Sequence, residues 1–160
     1  MSSGAMETRP SALVIVTDVS RERFVLEVKD FGEEHSDSGT WSLFGGRCAD
    51  GELHQVTLAR QLQEEVPTNA AMIHQGAKYQ GMVTTPDSGR AAIYERHLYW
   101  SSLPDEVVAA WERNPTEIGF VGDGGRVVVV RYIRLKEALA RKPNQFYKLL
   151  DLTLREFLGL

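Results

Sequence analysis

Apolar residues along the chain fall into short runs typical of strands and longer periodic segments typical of helices. Runs rich in Val, Ile, Leu and Phe predict strands, and these cover residues 12–17, 23–28, 71–84, 91–100 and 126–133. Leu58, Leu62 and Val66 recur at every fourth position, which predicts a helix over residues 54–66. Pro67 ends this helix, because proline disfavours helical backbone in the residue before it.

Two further segments carry a helical pattern. Residues 103–114 predict a short helix whose inner face carries Val107, Val108 and Trp111. Residues 144–158 place apolar side chains at helical spacing and predict an amphipathic segment. Strands and helices mix without a regular βαβ repeat, so the pattern predicts an α+β fold with a mixed sheet flanked by helices.

Glycine-rich and polar stretches predict the connections. Residues 30–39 are polar and acidic, which is typical of an exposed loop. The pair Gly45-Gly46 predicts a sharp change of direction, and residues 85–89 predict a turn around Pro86. The glycine-rich run 122–125 also predicts a turn. It does not match a phosphate-binding loop, because it precedes a strand and no Lys-Ser/Thr pair follows it.

Composition narrows the class of protein. The chain has 160 residues, of which 42% are apolar and 25% charged, as expected for a single globular domain. Its net charge of −4 argues against a nucleic-acid polymer as partner, and no apolar run approaches the roughly 20 residues of a membrane helix. We therefore expect a soluble, cytoplasmic domain over residues 11–160. The small and polar residues 1–10 are expected to be disordered or added to the native sequence.

Three oxygen-bearing side chains of the predicted 54–66 helix are candidates for a metal site. Gln61, Glu64 and Glu65 are three and four residues apart, so they share one arc of the helix. Carboxylate and amide oxygens are ligands that Mg²⁺ and Mn²⁺ accept, and the Gly45-Gly46 segment could add a backbone carbonyl. Glu52 could supply a further acidic group. The alternative is that the Glu-Glu pair is a solvated helix face.

The spacing over residues 46–68 resembles the Nudix box, Gly-x5-Glu-x7-Arg-Glu-U-x-Glu-Glu-x-Gly-U, where U is aliphatic. Six of the nine defined positions are matched in register, by Gly46, Glu52, Arg60, Leu62, Glu64 and Glu65. The three departures are Gln61, Pro67 and Thr68. The sequence Trp-Ser-Leu-Phe-Gly-Gly before it is similar to the usual strand and Gly-Gly entry to the box. The chain thus resembles the Nudix hydrolase family.

This resemblance implies an α/β/α sandwich and metal-assisted hydrolysis of a phosphoanhydride in a small diphosphate substrate, typically a nucleoside diphosphate derivative. It implies Mg²⁺ or Mn²⁺ as the cofactor and makes a homodimer plausible. The implied metal ligands are Gly46 through its carbonyl, Gln61, Glu64 and Glu65. Glu52 and Arg60 are implied to support them, with Arg60 orienting the carboxylates rather than contacting the substrate.

Gln61 is the departure with the largest chemical consequence. A glutamine keeps a carbonyl oxygen but has no negative charge and cannot accept a proton. Glu117, in a Glu-Ile-Gly sequence, is a candidate replacement as base or extra ligand, although an ordinary loop glutamate is the alternative. If nothing replaces the lost carboxylate, either turnover is slow or the chain is a Nudix-fold module that binds a phosphorylated metabolite with little or no hydrolysis.

Other residues give weaker hypotheses. The single Cys48 excludes an internal disulfide and is expected to be a passive, buried or half-buried thiol. Trp41 could line a pocket, whereas Phe31 and Tyr79 are candidates for stacking on a base.

The remaining cations and histidines carry no motif. The four histidines, His35, His54, His74 and His97, lack metal-ligand spacing. Arginines that could reach phosphates, or could be ordinary surface charges, are Arg23, Arg90, Arg96 and Arg126. The identity of the diphosphate substrate cannot be read from these residues.

Overall fold

The computed structural model of the chain describes residues 5–28, 40–114, 126–131, 135–141 and 146–159. Its strands are β1 (Glu7–Asp18), β2 (Arg23–Val28), β3 (Trp41–Ser42), β4 (Phe44–Arg47), β5 (Ala77–Asp87), β6 (Ala92–Leu103) and β7 (Arg126–Arg131). Its helices are α1 (His54–Glu65), α2 (Ala70–Gly76), α3 (Asp105–Arg113), α4 (Leu135–Arg141) and α5 (Leu150–Leu158). Short 3-10 turns cover Ser88–Arg90 and Tyr147–Leu149.

The described strands form one mixed sheet. Along its main path the order is β3-β2-β1-β6-β5, with β4 paired to β1 and β7 paired to β2. β1 and β6 are parallel over their whole length, and the other pairings are antiparallel. Because β6 occupies one edge of β1 throughout, β4 and β2 share its other edge. β4 pairs with residues 11–14 of β1, and β2 pairs with Val16 and Thr17 of β1.

Alternation along β1 divides its side chains between two cores. Val14 and Val16 belong to a cluster completed by α1, α2 and α3 on one face of the sheet. Leu13 and Ile15 belong to a second cluster, completed by α4 and α5 on the other face. Helices therefore cover both faces of a mixed sheet, which confirms the α/β/α sandwich.

The structure corrects four predictions near the site. Residues 70–76 form helix α2 rather than the start of a strand, because Ala70 and Ile73 bury one helical face against the first core. β1 begins at Glu7, so residues 7–10 are part of the fold. Gly45 and Gly46 lie within strand β4 and not at a sharp bend. The segment 144–158 is interrupted by left-handed residues at Lys148 and Leu149, and α5 begins only at Leu150.

The sequence pattern did not predict α4. It has seven residues, which is too short for a clear helical period, and it is held by Leu135, Ala138 and Leu139 in the second core. Among the described residues, no helix has both the length and the apolar character needed to cross a membrane.

Candidate active site

A cavity of about 260 Å³ opens where β4 and β6 flank the first half of β1. Its walls come from β1, β4, β6, α1 and the segment at the start of α5. The charged residues of the lining, with Gln61 and Tyr94, are Arg9, Arg47, Glu65, Arg96 and Lys148. The cavity therefore offers both hard oxygen donors and cationic groups.

Glu65 is the carboxylate on the inner side of this cavity. It is 6% exposed, and its Oε2 accepts a hydrogen bond from the backbone N–H of Gly45 at 3.0 Å. The position follows from the pattern of α1, in which Leu58, Leu62 and Glu65 share the buried face. Three or four residues separate these positions, so Glu65 extends the apolar stripe of the helix towards β4.

Gly45 makes the contact with Glu65 possible. Its φ is +129°, and a Cβ atom there would lie 2.0 Å from the carbonyl oxygen of Ala12. Only glycine fits this close approach of two backbones, because it lacks the Cβ and tolerates positive φ. The Gly-Gly pair thus serves close packing of β4 on β1 rather than a turn.

Gln61 lies against the second glycine of the pair. A Cβ atom on Gly46 would lie 2.6 Å from Cδ and 2.7 Å from Oε1 of Gln61. Gln61 and Glu65 are four residues apart on α1, and both line the cavity with Gly46. The structure therefore brings together three of the four predicted metal ligands.

Glu64 lies apart from these groups. Its side chain is 59% exposed and contacts Arg60 at 3.5 Å, and Glu64 does not line the cavity. Glu117 lies outside the described residues. Within the described ranges, no three His, Cys, Asp or Glu side chains are grouped to hold a metal ion. A cation here would therefore depend on amide and backbone oxygens as well as Glu65.

Glu52 and Arg60 form a hydrogen-bonded ion pair that stabilises the start of α1. The Nε and Nη2 groups of Arg60 donate to the two carboxylate oxygens of Glu52 at 3.0 and 2.9 Å. Hydrogen bonds from Arg60, the Thr57 hydroxyl and the Ala49 backbone lower the pKa of Glu52 to about 2. Arg60 also donates to the carbonyl oxygen of Arg47, at the end of β4. This pair fixes α1 against β4, the two elements that carry the cavity's oxygen donors.

Three of the cavity residues named above come from segments beyond the box, two from β6 and one from the 3-10 turn before α5. Tyr94 and Arg96 are buried on the face of β6 that also carries Leu98. Arg96 is among the arginines that the sequence offers for phosphate contact, whereas no sequence pattern indicates Tyr94 or Lys148. The sequence signal that could have identified this part of the cavity is a charged residue, Arg96, among the apolar alternating positions of a strand.

Several aromatic candidates lie elsewhere. Trp41 packs edge-to-face on Phe146 with ring centroids 5.7 Å apart and is not part of the cavity lining. Tyr79 also lies outside the lining, and Phe31 is outside the described residues. Cys48 is a free, buried thiol.

Two of the histidines that are distant in sequence are neighbours in the structure. The rings of His54 and His97 are stacked, with centroids 4.1 Å apart and planes 7° apart. Tyr79 hydrogen-bonds to Nδ1 of His97 at 2.8 Å, and Tyr99 hydrogen-bonds to Nδ1 of His54. These four residues, the imidazole-tyrosine cluster, join the start of α1 to β5 and β6. Sequence spacing could not reveal the cluster, because three different elements supply it.

Protonation of this cluster should lower stability. Burial and the neighbouring His54 imidazole lower the pKa of His97, with Glu95 opposing them. A group whose pKa is lower in the folded state binds more protons when unfolded. We therefore expect the melting temperature to fall as the pH drops below the unfolded-state pKa of about 6.5. Thermal unfolding of the wild type and of His97→Gln between pH 7.5 and 5.5 measures this, and the variant should show a smaller slope.

The control for that experiment is His74→Gln, since His74 is exposed on α2 and outside the cluster. It should keep the wild-type slope. Equal slopes for His97→Gln and the wild type would show that the cluster does not couple protonation to folding.

A family model and several solved structures match this chain. A family model described as NUDIX domain matches residues 7–152. No curated protein matches the chain in sequence. Solved structures share the fold. The MutT protein of Methanosarcina mazei Go1 is 13% identical with a TM-score of 0.62, covering 96% of this chain and 95% of that chain.

Two further structures are similar. The E. coli ORF135 protein is 17% identical with a TM-score of 0.59, covering 97% of this chain and 91% of that one. A NUDIX hydrolase from Nitrosomonas europaea is 13% identical with a TM-score of 0.56, covering 96% of this chain and 89% of that one. At these identities the likeness concerns the fold.

Proposed function

The chain belongs to the NUDIX domain family, and from this premise we propose that it is a divalent-metal-dependent hydrolase. Its proposed reaction is cleavage of a phosphoanhydride bond in a nucleoside diphosphate derivative or a similar small diphosphate compound. The observation that carries this proposal is the buried Glu65 carboxylate, bound to the Gly45 N–H at the wall of a cationic cavity.

The donor set around Glu65 fits Mg²⁺ or Mn²⁺. One carboxylate, the Gln61 amide oxygen and the Gly46 backbone are hard oxygen donors, and Mg²⁺ is commonly held by one or two carboxylates plus water and substrate phosphates. When bound, such an ion would neutralise phosphate charge and make a coordinated water more acidic. Glu64 stays a candidate as a further ligand, and Glu117 stays a candidate as base.

The chain's own groups have distinct parts in this proposal. Glu65 is oriented by the Gly45 N–H, which donates to its Oε2 at the wall of the cavity. The Glu52–Arg60 pair holds α1 against β4 and does not line the cavity. The cations of the lining would offset the negative charge of a diphosphate, which favours its binding over that of neutral compounds.

A second candidate function is supported by Gln61. At the position where the Nudix box has a glutamate, this chain places a neutral amide against Gly46. Removing one negative charge from a site for a hard cation weakens binding of the cation. The chain would then bind a phosphorylated metabolite with little or no turnover.

The test is hydrolysis of a panel of nucleoside diphosphate derivatives with Mg²⁺, with Mn²⁺ and with EDTA. We expect products with either metal and none with EDTA. Binding in the presence of Mg²⁺ without product from any compound would favour the second candidate. Neither binding nor product across the panel would contradict both.

Restoring the missing carboxylate should raise activity. In Gln61→Glu we expect a lower Mg²⁺ concentration for half-maximal rate and a rise in kcat of about tenfold, since one added ligand charge strengthens the site. Gln63→Glu adds the same charge at an exposed position of the same helix and is the matched control. Equal responses of the two variants to Mg²⁺ would show that Gln61 is not near the metal.

A further inference from the structure

We propose that Arg96 is a specificity-determining residue that binds a second anionic group of the substrate, separate from the diphosphate that is cleaved. The chemical class is therefore a diphosphate compound whose other end carries a phosphate or a carboxylate. This inference rests on the proposed function for the reaction, but it concerns a different wall of the cavity.

Arg96 is a buried cation held by neutral oxygens. It is 5% exposed, and it donates through Nη1 to the Thr153 hydroxyl at 2.7 Å and through Nη2 to the carbonyl oxygen of Lys148 at 2.6 Å. Its guanidinium also lies 4.4 Å from the centroid of the Tyr94 ring. Within the part of the chain that the structure describes, it forms no ion pair.

A buried charge without a counter-charge is costly, so a compensating group is expected from outside the chain. Burial lowers the pKa of Arg96 to about 10, so the side chain is still charged at neutral pH. Two of its five N–H groups are used in the described bonds. The other three can serve a ligand that enters the cavity which Arg96 lines.

The nearest described acids do not form an ion pair with Arg96. Asp87 and Asp151 act on Arg96 only through longer-range charge. Asp87 accepts hydrogen bonds from the Tyr94 hydroxyl at 2.8 Å and from Arg90 at 3.1 Å. These contacts hold Tyr94 beneath Arg96 and leave the guanidinium available for another anion.

The backbone beside Arg96 is strained in a way that supports a ligand site. Lys148 and Leu149 both have positive φ, 43° and 57°, although neither is glycine. Consecutive left-handed residues of this kind cost free energy and are concentrated at functional sites. Here they place the Lys148 carbonyl on Arg96 and the Lys148 side chain on the cavity wall.

The other cavity arginines, unlike Arg96, have a carboxylate partner among the described residues. Arg9 and Arg47 both bind the carboxylate of Glu7 at the exposed rim, at 3.2 and 2.8 Å. Their charges are therefore partly compensated within the chain, and they are screened by solvent. Arg96 is the buried member of the set, where a charge-assisted hydrogen bond has most effect.

The position of Arg96 sets it apart from the proposed cleavage site. Arg96 pairs with Ser11 on one side of β1, and Arg47 pairs with Ser11 on the other side. Two strand spacings, about 10 Å, therefore separate the backbone of Arg96 from that of β4. This separation of the strands is the reason to expect a spacer, such as a sugar, between the diphosphate and the second anionic group.

The experiment uses matched pairs that differ by one anionic group: UDP-glucose with UDP-glucuronate, NADH with NADPH, and dephospho-coenzyme A with coenzyme A. Dissociation constants are measured by calorimetry in EDTA, and kcat and KM are measured with Mg²⁺. We expect the anionic member of at least one pair to bind about tenfold more tightly to the wild type, or about 1.4 kcal/mol. In Arg96→Gln this preference should disappear, and Arg96→Lys should keep part of it.

Arg155→Gln is the matched control, because Arg155 also donates to a neutral carbonyl, that of Leu139, but lies outside the cavity lining. It should keep the wild-type preference. If Arg96→Gln unfolds, the wild-type preference and its retention in Arg96→Lys decide the question. Equal binding of both members of every pair, or a preference that survives in folded Arg96→Gln, would overturn the inference.

The two proposals fail in distinguishable ways. If no compound is hydrolysed but the Arg96-dependent preference is present in EDTA, the proposed reaction is wrong and the anion site stands. If hydrolysis occurs without any preference for the anionic members, the reaction stands and the role assigned to Arg96 is wrong.

Discussion

Glu65→Gln is expected to lower kcat/KM by about a hundredfold or more in any Mg²⁺-dependent hydrolysis that the chain performs, equivalent to about 2.7 kcal/mol of barrier. The reason is that Glu65 is the only carboxylate in the described lining of the cavity. Gln61 contributes no charge, so the loss at Glu65 has no nearby compensation among these residues. Steady-state kinetics over a range of Mg²⁺ concentrations measure the effect.

The same variant separates chemistry from stability. A glutamine at 65 can still accept the hydrogen bond from the Gly45 N–H, so the melting temperature should change by only a few degrees. Glu106→Gln, an exposed position in the first turn of α3, is the control for loss of one negative charge. Activity of Glu65→Gln within threefold of the wild type at every Mg²⁺ concentration would contradict the metal-ligand role of Glu65.

The part of the site that lies on one helix could be predicted from the sequence. Periodic Leu58 and Leu62 set the buried face of α1, and Pro67 marks its end. The i,i+4 relation then places Gln61 and Glu65 on one side. Helical spacing does not determine where the side chain of Glu64 points, and in the structure this side chain contacts Arg60. Helical spacing groups residues on an arc, but packing against β4 decides which of them reach the cavity.

The other cavity wall could not be predicted in the same way. Arg96 is brought to the cavity by the parallel pairing of β1 with β6, whose paired residues are 85 positions apart in the chain. Lys148 is placed by a left-handed backbone that no local pattern indicates. Both features depend on tertiary pairing, for which sequence periodicity carries no information.

The prediction of a strand over residues 71–84 placed its start too early, and this error also has a physical cause. Apolar residues in a short run do not distinguish a strand from a buried helix. Ala70 and Ile73 are one helical turn apart and meet the core formed by α1, so the tertiary contact favours α2. The strand begins only at Ala77, where pairing with β6 starts.

Gly45→Ala is the change expected to affect stability most. A Cβ atom at this position would lie 2.0 Å from the carbonyl oxygen of Ala12 and 2.8 Å from Cα of Leu13, and both are backbone atoms. Neither can move aside as a flexible side chain could, and the φ of +129° adds strain for any residue other than glycine. We expect a loss of at least about 3 kcal/mol in the free energy of unfolding, or a melting temperature lower by about 10 °C.

Gly51→Ala is the matched control, because Gly51 also has positive φ (75°) but has open space where the Cβ would be. It should cost about 1 kcal/mol, the penalty for left-handed backbone alone. Denaturant unfolding of both variants separates steric overlap from backbone strain. Equal losses would mean that β4 does not pack closely on β1. A much larger loss in Gly45→Ala, together with reduced Mg²⁺-dependent activity in the folded fraction, would show that the backbone contact which holds β4 also orients Glu65.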